Sequence, residues 1–460
     1  MRNLNFCSTK HLRIAIFRHL LYNVNMAKKS SKSTKSKKQT ASPVEKAAKK
    51  AYKANPKAFI ISIVAIVLVI AIATAVVYFA FPDTWDSIVA TIKGDNNNNG
   101  GGSTNLVGGD GELAVHIINV GQGDCIYIKF PDGKDMVIDS GCTTKPYDSF
   151  GKNVVLNYLQ DHVEGDLEYL MLTHTDTDHV SYLDEVVDAF DVNNIFMPNV
   201  LSTPNMSKWS EKDKNRFNSI PQEKKDMFTD EDTISTEQYA SFFAAALTEP
   251  NCNIYINMDD DDNTNNIVIR DDANTYEFKF YCPTKNYYKS TNLKGGERIN
   301  AVSPIGILTY NNRKIMFTGD SNEINEPLVM ARTGKIDCDV LKVGHHGSET
   351  STMGDFLDEY TFEYALISCK YNTSYYHPRQ ETLNRLKNRN IAVYRTDNNG
   401  NIVLTVDKNG NLKFDMQTEC SQETNYIGYV CGQKKTNVNA QASVAKQNMA
   451  CLFFNTRIAA

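Results

Sequence analysis

The chain has 460 residues, 41% hydrophobic and 22% charged, so it holds enough apolar material for a core and is not a wholly disordered chain. The length allows two to four domains, or one large domain with appendages. The net charge of −5 hides a split, with +14 on residues 1–57 and about −19 on the remainder; a general nucleic-acid binder carries the opposite arrangement, with a basic folded domain.

In chain order, residues 1–57 are rich in Lys, Ser and Ala and read as a basic, disordered tail. Met26-Ala27-Lys28-Lys29 is a plausible alternative start within it. Ala58–Phe81 is uncharged and long enough, at about 1.5 Å per residue, to cross the roughly 30 Å hydrocarbon core as a transmembrane helix. Tyr78, Phe79 and Trp85 suit an interfacial aromatic belt at one end. A cleaved signal peptide has a shorter apolar run, and a core helix this long shows a polar side. The positive-inside rule then keeps the tail cytoplasmic, making a single-pass cell-membrane protein whose remainder is extracellular. Residues 82–111 are an Asn- and Gly-rich spacer.

From residue 112 strands and helices alternate, which predicts layered α/β packing. AVHIINV, CIYIKF and DMVIDSG read as strands, with Pro131-Asp132-Gly133-Lys134 as the hairpin turn between the last two. A helix near 152–161, the strand LEYLMLTH, a helix after His179 and the strand NIFMPNV follow. Residues 201–265 are polar and weakly periodic and read as a partly helical insertion. Their acidic run Asp259–Asp262 reads as solvated surface rather than a calcium site. Strands resume with EFKFYCP, SPIGILTY, KIMFTGD, VLKVGHH, YALISC, IAVYRT, NIVLTV and LKFDM, and residues 417–460 read as an irregular tail. Ten cysteines without a Cys-x-x-Cys pair exclude a zinc finger and leave any disulfide pairing open.

The chemistry lies at strand ends. His174-Thr175-Asp176-Thr177-Asp178-His179 packs two imidazoles and two carboxylates directly after an apolar strand, and these are ligands for Zn²⁺, Mn²⁺ or iron. Thr318-Gly319-Asp320 ends another strand in a carboxylate, and Val343-Gly344-His345-His346-Gly347 ends a third in two histidines. Adjacent residues on an extended chain point opposite ways, so at most one of His345 and His346 faces a metal unless the loop bends. Tyr376-His377-Pro378 precedes a helix, and Asp139 closes the strand MVIDSG, where it could orient a ligand histidine. Five of the nine histidines fall in these motifs and none lies between 180 and 344.

The ordered set Asn119-Val120-Gly121-Gln122-Gly123-Asp124, VIDSG, HTDTDH, FTGD, LKVGHHGS and YHP resembles the metallo-β-lactamase fold. More narrowly, it is similar to the hydrolase domain of the competence protein ComEC and its membrane-anchored stand-alone relatives. The likeness spans about residues 113–407, with 201–265 unmatched. The resemblance implies an αββα sandwich over residues 112–416 and two divalent metal ions at one edge. It assigns His174 and Asp176 to the first metal, Asp178 and His179 to the second, Asp320 as a bridge, and His345 or His346 to completing the second. His377 would stand near the substrate as a proton donor or phosphate contact, and Asp139 would support the site. Three departures stand out. Asp176 replaces the usual second histidine, making the first site richer in oxygen and favouring Mn²⁺. The histidine expected between the two halves is absent, so the second site is better furnished than the first. Val180-Ser181-Tyr182 replaces a Gly-Gly, which could bring a tyrosine beside the metals.

The expected activity is metal-dependent hydrolysis, with Asp178, Asp320 and His377 as the catalytic side chains and DNA as the leading substrate for a nuclease. The acidic body opposes a polyanion over a Debye length of about 8–10 Å, so local lysines such as Lys342 and Lys370 would have to offset it. A phosphodiesterase on small envelope esters, such as phosphocholine or teichoic acid, is the alternative; a catalytically silent binding module is the third reading. The sequence points to the lipid bilayer through residues 58–81 and to no protein partner.

Overall fold

The computed structural model describes residues 111–142, 149–228, 233–256, 258–259, 266–284, 287, 296–370 and 376–429. The basic tail, the apolar segment 58–81 and the spacer up to residue 110 lie outside them. No helix among the described residues is long and apolar enough to cross a membrane.

The first sheet is built from β1 (Leu113–Ile117), β2 (Cys125–Lys129), β3 (Asp135–Ser140), β4 (Leu167–Met171) and β5 (Val192–Phe196). β1, β2 and β3 pair antiparallel, and the turn at 131–134 closes through Phe130 N–H donating to Lys134 O at 2.9 Å. β3, β4 and β5 run parallel, with helices in the crossovers, as parallel pairs require. The short pair β6 (Leu201–Ser202) and β7 (Thr233–Ile234) lies apart, and β8 (Asn253–Tyr255) forms one edge.

The second sheet contains β9 (Val268–Arg270), β10 (Tyr276–Tyr281), β11 (Ile305–Tyr310), β12 (Arg313–Phe317), β14 (Val340–Lys342), β16 (Tyr364–Ile367) and β17 (Ala392–Arg395), while β13 (Ile336–Asp337) pairs with β15 (Tyr360–Thr361) in a separate two-stranded sheet. The chain then returns to the first sheet as β18 (Ile402–Val406) and β19 (Leu412–Met416). The strand orders are β19-β18-β1-β2-β3-β4-β5-β8 and β17-β16-β14-β12-β11-β10-β9.

Side-chain alternation assigns the layers, since successive residues of a strand face opposite sides. Met136, Ile138, Tyr169 and Met171 meet Phe278, Phe280, Leu308 and Phe317 in the core between the sheets. Val137, Leu170 and Leu172 point the other way, onto Val155, Leu159, Leu183 and Val186 of the covering helices. Met316, Leu341 and Ala365 do the same for the second sheet, against Val329, Phe356, Leu383 and Leu386. The result is helix, sheet, sheet, helix: an αββα sandwich whose central strands are buried on both faces.

Two segments pack more closely than their polar composition suggests. Within 201–265, the helix Glu237–Thr248 buries Tyr239, Phe242, Phe243 and Leu247 in the first helical layer. Its apolar stretch QYASFFAAAL outweighs the charged residues around it. Asp259, from the acidic run, is 3% exposed and ion-paired with Arg332 at 2.6 Å, so it is not solvated surface. Beyond 416, the helix Gln422–Asn425 and the residues to Tyr429 pack on β17 and on the turn after His377: Asn425 Nδ2 donates to Val393 O at 2.7 Å, and Gln380 N–H to Tyr429 O at 2.7 Å. Seven of the cysteines lie among the described residues, and no disulfide joins any two of them.

Candidate metal centre

At one edge of the sandwich, the loops after β4, β12 and β14 come together. His174 follows β4, and Asp176 precedes the short helix Thr177–Val180, which carries Asp178 and His179. Asp320 follows β12 after a Gly319 with positive φ. His345 and His346 follow β14, and His377 enters from the turn before the helix Gln380–Lys387. Asp176, Asp178, Asp320, His345, His346 and His377 line one cleft of about 260 Å³, together with Gln122 and Thr177.

Three imidazoles present Nε2 to the centre. His179 Nε2 lies 3.2 Å from Asp320 Oδ1 and 3.3 Å from His346 Nε2. His346 Nε2 lies 3.3 Å from Asp178 Oδ2 and 3.7 Å from Asp320 Oδ2. His174 Nε2 is 3.8 Å from Asp320 Oδ2 and 3.9 Å from Asp176 Oδ2. Two ligand triads result: His174, His179 and Asp320; and Asp178, His179 and His346.

The other ring nitrogens explain that orientation. His179 Nδ1 donates to Asp139 Oδ2 at 2.8 Å, and His346 Nδ1 to the carbonyl of Ser368 at 2.9 Å. His174 Nδ1 lies 3.1 Å from Thr173 Oγ1, whose own proton goes to Asp139 Oδ2 at 2.7 Å. Each Nδ1 is thereby a donor, which leaves each neutral Nε2 as a lone pair. The Nε2 lone pairs of His179 and His346 face each other, and His174 Nε2 is buried without a hydrogen-bond partner among the described residues. Buried acceptors aimed at one another and at carboxylates are a poor protein interior and a good cation site. The donor set therefore fits divalent metal ions.

Without a metal, the electrostatics favour a proton on two of these rings, which a ligating imidazole would have to give up. Burial opposes charging His179, yet Asp320 and Asp139 outweigh it and hold the ring well above its ordinary value. His346 is pushed up to about 10 against its burial by Asp320, Asp124 and Asp178. Burial raises Asp176 to about 7, helped by Asp178 and Asp320. Burial lowers His377 to about 3, with His345 and His346 adding to it, so that ring stays neutral. The carboxylates thus draw positive charge onto the imidazoles between them.

Local backbone makes the convergence possible. His345 and His346 adopt φ +48° and +54°, both left-handed, so the chain bends and neither ring follows strand alternation. His346 turns inward, fully buried; His345 lines the same cleft with its side chain partly exposed, 3.7 Å from Asp320 and beside Asn300. The turn is held from behind. Glu326 accepts from Thr352 N–H at 2.5 Å and Met353 N–H at 3.0 Å, and Arg385 donates to the carbonyls of Glu349, Ser351 and Thr352. Asp139, also left-handed at φ +56°, turns its carboxylate onto Thr173 and His179. Two glycines let the metal loop sit down: a Cβ on Gly141 would lie 1.9 Å from the carbonyl carbon of Asp178, and one on Gly123 2.5 Å from its oxygen.

The structure also corrects the reading of some residues. Tyr182 does not reach the cleft; it is buried in the core of the first helical layer. Lys342 is fully buried and paired with Asp124 at 2.7 Å, so it offers nothing to an approaching anion. A third grouping, Asp124, Asp139 and His179, has metal-ligating atoms but is already neutralised by Lys342 and by the His179 Nδ1 proton. Asn300 and Ser303 were not singled out in sequence, and both serve the centre. Asn300 contacts His345, and Ser303 Oγ accepts from Asp320 N–H at 3.1 Å and lies 3.3 Å from His174 Nδ1. Their signal was faint: two small polar residues leading into β11, in the stretch between 180 and 344 that has no histidine.

Residues 118–241 match the metallo-β-lactamase superfamily. The chain is 27% identical over 302 residues to ComE operon protein 3 of Bacillus subtilis, covering 63% of this chain and 33% of that protein. It is 36% identical over 97 residues to competence protein ComA of Neisseria gonorrhoeae, 21% of this chain and 14% of that one. To recombination protein 2 of Haemophilus influenzae it is 25% identical over 290 residues, 63% of this chain and 28% of the relative. The chain thus spans a third or less of the length of each of these relatives. Residues 118–241 thus match a metallo-β-lactamase superfamily domain, and the chain is similar to ComEC-like competence proteins over that domain.

Proposed function

We propose that this protein is a metal-dependent phosphodiesterase, with nucleic acid as its leading substrate. It is held at the cell membrane by residues 58–81, with the αββα domain outside and the basic tail inside. The observation that carries the reading is the convergence of three imidazole Nε2 atoms with Asp178 and Asp320 beside a cleft that Asp176, Asp178, Asp320, His345, His346 and His377 line. Asp178, His179 and His346 would hold one ion, and His174 with Asp176 the other, with Asp320 within reach of both and His345 at the margin. A bound pair of divalent cations supplies an acidified water and offsets the charge of a phosphodiester transition state.

The chain's own groups do the rest. Asp320 faces His174, His179 and His346 at 3.8, 3.2 and 3.7 Å and is the carboxylate positioned to take a proton from the attacking water. Asp139 keeps His179 in its orientation. His377, neutral and lining the cleft, can donate one N–H to a phosphoryl oxygen or a leaving group. The competence-related names of the relatives favour DNA.

One observation favours the second reading, a small envelope diester. With Lys342 buried, the acidic body has lost one of the lysines that could draw a polyanion to the site. The test is the purified full chain with Mn²⁺ or Zn²⁺, offered linear single- and double-stranded DNA and phosphocholine esters. DNA cleavage that is abolished by Asp178→Ala supports the nuclease. Turnover of the small esters alone selects the second reading, and no turnover of any diester leaves a binding module.

A further inference from the structure

We propose that Lys342 and Asp124 are a positioning pair for the metal centre, a built-in cation and counter-ion that set His346 and the 176–179 loop relative to each other. The proposal rests on the metal-centre reading above.

Lys342 ends β14 in the second sheet, and Asp124 directly precedes β2 in the first. Their side chains meet at 2.7 Å, each 1% exposed, so the contact crosses between the sheets. A lysine ammonium and a carboxylate are costly to bury, and as fold elements alone they are often replaceable by apolar residues. What they touch indicates their use. The second oxygen of Asp124, Oδ1, lies 3.4 Å from His346 Nδ1, which donates to Ser368 O. The backbone of Asp124 donates to Asp178 O at 3.0 Å and accepts from Gly141 N–H at 3.0 Å. Lys342 also donates to Val343 O at 3.1 Å, and its carbonyl accepts from Thr318 Oγ1 at 2.7 Å, two residues before Asp320.

One residue pair therefore touches the segments carrying Asp178, Asp320 and His346. Held by Lys342 through one oxygen, the Asp124 carboxylate turns its other oxygen to the Nδ1 side of His346. That keeps the Nδ1 proton in place and the Nε2 lone pair toward the cleft.

The experiment compares the full chain with Lys342→Met and with the double variant Asp124→Asn/Lys342→Met, which removes both charges together. The readouts are Mn²⁺ and Zn²⁺ dissociation constants by competition with a chelating dye, melting temperature without metal, and kcat and KM on a chromogenic diester. Lys342→Met strands a buried carboxylate and should melt early. The double variant should recover the melting temperature of the parent and yet bind metal about 10–100-fold more weakly, with kcat lowered more than KM is raised. A double variant with parental metal affinity and kcat would make the pair purely structural and overturn the inference alone. Failure of the parent chain itself to take up either metal would overturn the centre and the inference together.

Discussion

Gly141 gives the sharpest test of how the site is assembled. Its backbone lies against the peptide joining Asp178 and His179: a Cβ there would stand 1.9 Å from Asp178 C, 2.1 Å from Asp178 O and 2.1 Å from His179 N. Non-bonded carbon atoms settle at about 3.5 Å or more, so Gly141→Ala must part the two segments by about 1.5 Å. Asp178 and His179 move with that peptide, and His179 belongs to both ligand triads. A misplacement near 1 Å costs on the order of 10²-fold in rate, and overpacking costs about 1–3 kcal/mol in stability. The variant should therefore remain folded, melt a few degrees lower, and lose about 10²-fold or more in kcat/KM on a diester substrate. Gly165→Ala is the control. That position has φ +87° with nothing within 4 Å of the added carbon, so it pays backbone strain without touching the site. If Gly141→Ala matched the Gly165→Ala control in turnover and metal content, the loop would not be held by this contact.

Two other outcomes follow from groups outside the cleft. His116 is buried between Tyr127, Tyr158 and His162, and burial first, then His162, lowers it to about 3. Its folded value lies below the unfolded one, so the unfolded chain takes up a proton that the folded chain refuses. The stability it protects is intact above pH 6.5 and is lost as pH falls toward 3, by up to about 1.36 kcal/mol per pH unit. Urea unfolding at pH 7, 6 and 5 should show a shallower loss for His116→Gln than for the parent; equal slopes would exclude His116 as the source. Ending the chain after Met416 removes Asn425, Ile427 and Tyr429, whose backbone groups bond the Arg395 side chain and residues 378–380 beside His377. Stranded buried polar groups cost about 1–3 kcal/mol each, so the shortened chain should melt at least several degrees lower and lose turnover about tenfold while still binding metal. Unchanged melting and turnover would return that segment to the status of a loose tail.

The sequence made the strands legible because the alternation is strong and the turn chemistry is unambiguous, as at Pro131-Asp132-Gly133-Lys134. It also made the strand ends legible: a carboxylate or imidazole directly after an apolar run, as at His174 and Asp320, has few places to point except the sheet edge. What it hid was backbone that departs from its element. The alternation rule leaves His345 and His346 as rivals, and two successive left-handed residues remove the rivalry, which no spacing reveals. Lys342 looks like a cationic contact because lysines are mostly exposed; only the opposing sheet supplies the Asp124 that lets it be buried. Tyr182 follows the ligand motif directly, and the helical turn from 177 to 180 carries it away from the cleft and into the core. The helix Glu237–Thr248 was masked by averaging its apolar face with the polar residues around it.

The division of ligands between the sheets has a consequence for how the domain holds together. His174, Asp176, Asp178 and His179 ride on the β4 side, while Asp320, His345 and His346 ride on β12 and β14. The core between the sheets is apolar and fixes their separation without specifying which loop lies opposite which. At the edge that task falls to charge. Asp176, Asp178 and Asp320 repel one another, and that repulsion adds to burial in raising the carboxyl of Asp176. The protons on His179 and His346 offset it in part, because each imidazole is held between carboxylates of different loops. Divalent cations would offset it more fully and would displace those protons, since a ligating imidazole must be neutral. Metal binding and the docking of the two sheet edges are then linked: the carboxylates that would hold the ion are the groups whose mutual repulsion it would relieve.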